Sequence, residues 1–373
     1  MINKKKKILI SAFSNLFTDQ RIEKVCKTLH DEGYEIELIG NNWAGEEAME
    51  RPYQFSRIRL SSKSLKTAYF EFNWKLYHAL ASKVNSDTIL LANDIDALYP
   101  NYLIAKKHNV PLVFDSHEIF TEMPAIQGKL SQKLWRFIER KLVPQMKYMM
   151  TESHSYAEWF TEQYGVRPIV IRNIPRKILN ISKFPINDPK IILYQGAINP
   201  FRGLNECIIA MHQVPNAILK IAGDGPKKKE LEELVKNERL EDKVFFLGKL
   251  KPTDLRAITV TADLGISLEQ NGGVSYLYSL PNKVSDYIQA RVPIVMINFP
   301  EMLRIKNQFN VGEIITDHEP STMAKGLNLA LEKGRAHYRE ELDKASEVLC
   351  WENEEAKILA LFEKVIIENF KQG

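Results

Sequence analysis

The sequence predicts an α/β protein made of two doubly wound parallel domains in tandem. Three observations carry that prediction. The chain has 373 residues, too many for one small core and natural for about two domains. Short apolar runs alternate with helical patterns of about ten to fifteen residues, the signature of βαβ units and a parallel sheet. A proline-bearing stretch without sustained period interrupts this alternation near the middle, and a second alternation follows.

In the first half KKILISA reads as a strand, RIEKVCKTLHDEG as a helix and EIELIG as the next strand. A short extended piece, RIRLSS, leads into a helical stretch that ends near Val84. Then come the strand TILLAND, the helix LYPNYLIAKKH, the strand PLVFDSHE, a basic helix at 128–147, the strand MMTES, the helix SYAEWFTEQYG and the strand PIVIRN. IPRKILNISKFPINDPK reads as a linker. The second alternation runs IILYQG, GLNECIIAMHQV, AILKIAGDG, KKKELEELVKNERL, VFFLGKL, a helix from Thr253 to Asp263, LGISLE, the helix inside YSLPNKVSDY, IVMIN and VGEIIT. Amphipathic helices from Ser321 to Phe370 close the chain. The expected plan is a Rossmann-like domain at 1–175, a linker at 176–190, a second Rossmann-like domain at 191–350, and a helix at 351–373 that crosses back to the first domain.

Cys26, Cys207 and Cys350 are odd in number and lie far apart inside regular patterns, which argues for a reduced compartment and against a disulfide framework or a zinc site. MINKKKKILISAF has a basic start, but its apolar run breaks at Ser14 and Asn15, so it reads as a strand and not a signal peptide. No stretch approaches about 18 consecutive apolar residues. A cytoplasmic protein is expected, with no nucleic-acid partner. The excess positive charge lies in the first half: residues 1–173 hold 24 Lys and Arg against 20 Asp and Glu, and the remainder is balanced at 27 against 27.

Open parallel sheets bind ligands outside the carboxyl ends of their strands. After the first-half strands come Asn93 and Asp94, then Asp115, His117 and Glu118, then Glu152 and Ser153. After the second-half strands come Gln195 and Gly196, Gly223, Asp224 and Gly225, Gly248 and Lys249, and Glu269. Any one of these can simply begin a loop; their repetition in both halves points to a ligand between two facing edges. In YSLPNKVSDY, Ser279 suits a helix cap and Pro281 a first turn. Lys283 then falls where the helix N-terminus disfavours a cation. Either it bends into water, or an anion such as a phosphate shares the site. Asp94 and Asp96 are either a helix-capping pair or ligands for a divalent metal. The GxGxxG, GxxxxGK[ST] and HExxH patterns are absent.

The helix at 128–147 carries Lys129, Lys133, Arg136 and Arg140 on one face, and Leu130, Leu134, Phe137 and Ile138 on another. Two readings stay open: a solvated face above a core stripe, or a basic surface against anionic lipid head groups.

YQGAINPFRGL, IAGDGP, VFFLGKL and SLPNKVSDYIQARVPIV, in this order, resemble the donor half of the family-4 retaining glycosyltransferases with the GT-B fold. DQRIEKVCKTLHDEGYEIELIG, LANDIDALYP and VFDSHEIFTEMP resemble the first half of one bacterial, surface-polysaccharide branch. The resemblance implies an α/β GT-B fold, two Rossmann-like doubly wound domains facing a central cleft. It places Lys283 and Arg202 on the donor diphosphate, with Asn282, Gly196 and Gly225 beside the donor. Asp286 matches the acidic residue that accepts from ribose hydroxyls, and His117 matches a histidine near the transferred sugar; otherwise it is a loop histidine bonded to Glu118 or Asp115. Tyr278 stands where the other acidic residue of the Glu-x7-Glu signature is usual, and Glu269 is a candidate to substitute. Ala197 stands where a cation often follows the glycine.

The implied activity is transfer of a sugar from a nucleoside diphosphate sugar, UDP favoured over GDP, to an acceptor hydroxyl with retention and without a metal or other cofactor. Lys129, Lys133, Arg136 and Arg140 point to a lipid-linked saccharide acceptor and a peripheral place on the inner, anionic face of the cytoplasmic membrane. A nucleotide-sugar 2-epimerase and a noncatalytic sugar-binding protein share the same cleft plan.

Overall fold

The structure, a computed structural model, describes residues 6–43, 45–179, 181 and 186–370. The chain divides into two compact units. One comprises the residues up to Asn173 together with the chain from Glu354 onward, and the other runs from Ile174 to Asn353.

The first unit holds β1 (Lys7–Ser11), α1 (Gln20–Asp31), β2 (Glu35–Asn41), β3 (Gln54–Ile58), α2 (Leu65–Ala81), β4 (Thr88–Asn93) and α3 (Ile95–His108). It continues with β5 (Leu112–Ser116), α4 (Leu130–Leu142), β6 (Tyr148–Thr151), α5 (His154–Tyr164) and β7 (Ile169–Val170). The strands form one sheet in the order β3-β2-β1-β4-β5-β6-β7, every pair parallel. Central strands such as Ile89, Leu90 and Leu91 are buried on both faces, which is why they read as continuous apolar runs and not as alternation. Regular crossovers in such a sheet are right-handed, so α2, α3 and α4 share one face.

The second unit holds β8 (Lys190–Gln195), α6 (Leu204–Ala210), β9 (Ala217–Ala222), α7 (Lys228–Asn237), β10 (Val244–Gly248), α8 (Pro252–Thr261) and β11 (Leu264–Ser267). After these come α9 (Val274–Tyr278), α10 (Asn282–Gln289), β12 (Ile294–Ile297), α11 (Pro300–Gln308), β13 (Gly312–Ile315) and α12 (Pro320–Val348). Its sheet is also parallel, in the order β10-β9-β8-β11-β12-β13. α12 breaks at Gly334, whose φ is 69°. α13 (Trp351–Asn369) begins in the second unit and belongs to the first from Glu354 on.

Each sheet therefore has one point where the winding direction reverses, between β1 and β4 and between β8 and β11. Crevices for ligands form there, outside the carboxyl ends of the strands. Among the described residues no helix is long and apolar enough to cross a membrane.

Candidate active site

In the second unit the loops after β8 and β9 touch. Gly196 has a φ of 136°, and a β-carbon on Gly223 would stand 1.8 Å from the Gly196 carbonyl oxygen, so neither position accepts a side chain. Gly225 is held as closely, its β-carbon position 2.5 Å from the Ile198 carbonyl oxygen. Glycine thereby lets the two loops approach each other closely at the strand ends.

α10 begins two residues later than the sequence suggests. Pro281 is its N-cap, and Ser279 closes α9 instead, its hydroxyl donating to the Tyr276 carbonyl. Lys283 does not bend into water; a carboxylate of the chain itself, Glu269, shares its site. It is buried, and its ammonium donates to Glu269 Oε1 at 2.5 Å, 4.4 Å above the centre of the Tyr194 ring. Ser267 Oγ donates to the other Glu269 oxygen at 2.7 Å. Burial would raise the Glu269 carboxyl, but Lys283, Ser267 and Arg202 outweigh it and hold the group below the usual carboxylate range. Arg202 lies over the Tyr276 ring at 5.0 Å. It borders a cavity of about 300 Å³ whose wall also includes Asn199, Phe201, Asn205, Lys227 and Gln270.

Asp286, one turn along α10, accepts from Gln195 Nε2 at 2.9 Å, and Gln195 Oε1 accepts from Thr259 Oγ1 at 2.7 Å. That chain fixes a half-buried carboxylate beside the reversal point. Asn282 is exposed in the first turn of α10, and Tyr278 ends α9 half-buried. The second unit thus brings Gly196, Glu269, Lys283 and Asp286 together, with Arg202 close enough to act on Glu269. Sequence reasoning missed Tyr194, Ser267 and α9: the first two lie inside apolar strand runs, and NGGVSYLY has no readable period.

The first unit carries a different cluster at its own reversal point. Arg21 forks onto Asp115, Nε to Oδ2 at 3.0 Å and Nη2 to Oδ1 at 2.6 Å, both groups buried. Its remaining amino group reaches the Ile171 carbonyl at 2.5 Å. His117 lies among carboxylates, with Nδ1 3.4 Å from Asp94 Oδ2 and Nε2 3.4 Å from Asp115 Oδ2. Nε2 is also 3.2 Å from Asn93 Oδ1. Burial opposes protonation of His117, but Asp94 and Asp115 override it and push its pKa up to about 10. The same burial raises Glu152 to about 7 and Asp96 well above its ordinary value.

Asp94 does not cap α3 with its side chain. It has a φ of 59° and a ψ of 167°, a region almost confined to glycine. Its Oδ1 accepts instead from the backbone N–H of His117 at 2.9 Å. The capping expectation therefore fails, because the carboxylate is turned toward β5. Asp96 is buried, and one of its oxygens has no hydrogen-bond partner.

α4 corrects the open question about its faces. Leu130, Leu134 and Phe137 are exposed and are not a core stripe. The inward face is Gln132, Trp135, Glu139 and Leu142. Thr121 and Tyr164 hydroxyls both donate to Glu139 at 2.8 Å, and burial pushes that carboxyl up to about 7. Lys133 and Arg140 are exposed; Lys129 donates to the Ala125 carbonyl; Arg136 pairs with Glu122 at 2.7 Å and is half-buried.

Comparison with known proteins agrees with this geometry. A glycogen synthase of Mycobacterium tuberculosis is 25% identical over 190 residues, 48% of this chain; the match spans 45% of that relative's length. Among solved structures, sucrose-phosphate synthase of Thermosynechococcus elongatus superposes with a TM-score of 0.77 at 14% identity, covering 98% of this chain and all of that one (100%). WaaG, a glycosyltransferase involved in lipopolysaccharide biosynthesis, gives 0.69 at 13% identity over 98% and 100%. Anabaena HepE in complex with UDP gives 0.69 at 14% identity over 97% and 100%. The family model for glycosyl transferases group 1 matches residues 177–348, and the one for glycosyltransferase family 4 matches residues 20–178. With both halves matched in this order on two parallel Rossmann-like sheets, the chain belongs to the family-4 glycosyltransferases of GT-B type.

Proposed function

We propose that this glycosyltransferase moves a sugar from a nucleoside diphosphate sugar, UDP favoured, to an acceptor hydroxyl with retention at the anomeric carbon. The observation that carries the donor assignment is the pairing of Lys283 with Glu269 beside Arg202, at the reversal point of the second sheet and the start of α10. Residues 191–350 then form the donor domain and residues 1–175 the acceptor domain. The UDP held by HepE, a fold neighbour, favours uridine as the base.

In the reaction the bond from the anomeric carbon to the phosphate oxygen breaks, and a bond to the acceptor oxygen forms on the same face. The acceptor proton passes to the departing phosphate. Charge grows on that phosphate as the bond stretches. Arg202, Lys283 and the N-terminal end of α10 stabilise it as it forms, without a metal. Lys283 is pre-positioned by Glu269, so a phosphate arriving there exchanges one anion for another and leaves no cation bare. Asp286, braced by Gln195, accepts from the ribose hydroxyls. His117, held protonated by Asp94 and Asp115, donates to a hydroxyl of the transferred sugar.

A lipid-linked saccharide in surface-polysaccharide assembly is the acceptor class that best suits the basic α4. Lys129, Lys133 and Arg140 would draw the protein to the anionic inner face of the cytoplasmic membrane; the neighbour WaaG is involved in lipopolysaccharide biosynthesis.

The test is thermal unfolding with UDP, GDP and ADP and their sugar conjugates, each with EDTA or magnesium. A ligand at ~100 times its Kd stabilises by about 2.7 kcal/mol. A shift with the uridine series that survives EDTA, is reduced in Arg202→Ala, and accompanies sugar transfer with retained anomeric configuration is expected. No shift with any nucleotide overturns the donor assignment.

A further inference from the structure

The helical layer α2–α3–α4 packs inward through rings: Tyr69 of α2 meets Trp135 of α4 at 5.3 Å, and Phe120 meets the same indole at 5.2 Å. Its outward side should then be polar, yet it is not. Leu130 is 82% exposed, Phe70 70%, Trp74 64% and Phe137 60%. Tyr99 of α3 and Leu134 of α4 are exposed with them. Such a run of large apolar side chains on one face marks an interaction surface.

Charge says what covers it. The exposed cations of this layer are Lys66, Lys106, Lys107, Lys133, Arg140 and Lys141. The three helices carry only three acids, and none faces outward free. Asp96 and Glu139 are buried, and Glu71 pairs with Lys75 at 2.7 Å and accepts from Ser62 Oγ at 2.6 Å. Apolar side chains rimmed by unopposed cations match an anionic bilayer, where the rings enter the acyl boundary and the ammonium groups stay among the head groups. The helix N-termini, with Leu130 and Phe70 near them, lie toward the carboxyl edge of the sheet. Asn73 of α2 donates to the Asp96 carbonyl at 2.8 Å at that same edge.

From this arrangement we infer that the outer face of α2, α3 and α4 inserts into an anionic lipid surface, Phe70, Trp74, Leu130, Leu134 and Phe137 entering the apolar layer; this rests on the lipid-linked acceptor reading above and deepens it from electrostatic adsorption to insertion. Insertion would hold the carboxyl edge of the first sheet at head-group level, where the sugar of a lipid-linked acceptor lies. Arg136, tied to Glu122, contributes little.

The experiment uses the whole chain with vesicles of phosphatidylcholine, with and without phosphatidylglycerol, at low salt and at about 0.5 M salt, where surface charges are screened. Binding is read by co-sedimentation, and depth by quenching of Trp74 with brominated lipid, using Trp74→Phe as the blank. Wild type should bind anionic vesicles and show Trp74 quenching. The Leu134→Ser, Phe137→Ser variant should bind at least about tenfold more weakly at both salts; Lys133→Glu, Lys141→Glu should lose binding chiefly at low salt. Equal binding by the apolar variant and wild type overturns insertion. So does concentration-dependent dimerisation that Phe137→Ser abolishes and vesicles do not compete with, which would assign the face to a second copy. The UDP-induced thermal shift is recorded on every variant: its absence in wild type counts against the transferase assignment alone, and its persistence in variants that lose vesicles shows that they are folded.

Discussion

The two sheet-reversal points occupy the same place in the same topology and hold their cations differently. In the first unit His117 and Arg21 sit among Asp94, Asp96, Asp115 and Glu152, and both cations are engaged by buried or half-buried carboxylates. In the second, Lys283 and Arg202 face Glu269, with Asp286 already bound to Gln195. On the donor assignment proposed above, an anionic diphosphate meets Arg202 and Lys283 in the second. The first is suited to neutral hydroxyl-rich groups, which accept and donate without adding charge. On that assignment, one fold used twice is divided by its side chains into an anion site and a hydroxyl site.

Removing the buried cations is the harshest way to break this contrast. Arg21→Met leaves Asp115 buried without its fork, and taking one partner from a buried pair costs about 3–5 kcal/mol. Unfolding of the first unit should move down by many degrees, measured calorimetrically, while UDP binding by the second unit persists. Lys283→Met should cost somewhat less, about 3 kcal/mol, because Ser267 and Arg202 still support Glu269. The informative variant is Lys283→Met with Glu269→Gln. Stability should recover most of the loss, and donor affinity should not. Recovery of both would show that the pair is structural and that the second unit holds phosphate by other means.

These partners explain what could be read from the sequence and what could not. The strands were legible because parallel strands buried on both faces are continuous apolar runs, and residues such as Asn93, Asp115 and Gln195 follow directly as strand ends. Lys283 was legible as an anomaly, a cation at a helix start, but its partner Glu269 lies 14 residues earlier, across α9, and only packing brings them together. α4 shows the limit most clearly. Periodicity reveals that two faces differ, not which one turns inward. Here Gln132 and Glu139 go in because Thr121 and Tyr164 satisfy them, Gln132 donating to the Thr121 carbonyl at 2.7 Å, and Leu130 and Leu134 stay out. Asp94 read as a cap because its position is right; its φ of 59° turns the carboxylate elsewhere.

pH should separate the two units. His117 has its folded pKa raised to about 10, above its ordinary 6.5. Its contribution is therefore fully present below about 6.5 and is lost as pH rises through 10. Glu152 and Glu139, raised to about 7, add a loss that develops between their ordinary value of 4.5 and neutrality. Glu269 is depressed, so its contribution is present above 4.5 and disappears as pH falls through its lower folded value. The first unit should therefore lose stability on the alkaline side, where Glu269 in the second is unaffected. His117→Gln should flatten the first unit's decline between pH 7 and 10 in calorimetric scans; an unchanged slope would mean the imidazole is neutral in the fold.

Arg202 gives the smallest effect on stability and the sharpest on function. It is half-exposed and stacks on Tyr276, and the buried Glu269 that it supports through charge keeps Lys283 and Ser267 as direct partners when Arg202 is lost. Arg202→Ala should shift unfolding by about 0.5 kcal/mol or less. Charge-assisted hydrogen bonds contribute about 1.5–3 kcal/mol, so UDP affinity by calorimetric titration should fall roughly ten- to hundredfold. His117→Gln, in contrast, should leave UDP affinity unchanged and lower turnover, because it lies on the hydroxyl side. If the two variants weakened UDP equally, the difference between the reversal points would not be what sorts donor from acceptor. If Arg202→Ala weakened UDP-sugar more than UDP, the arginine would be acting on the sugar and not on the diphosphate.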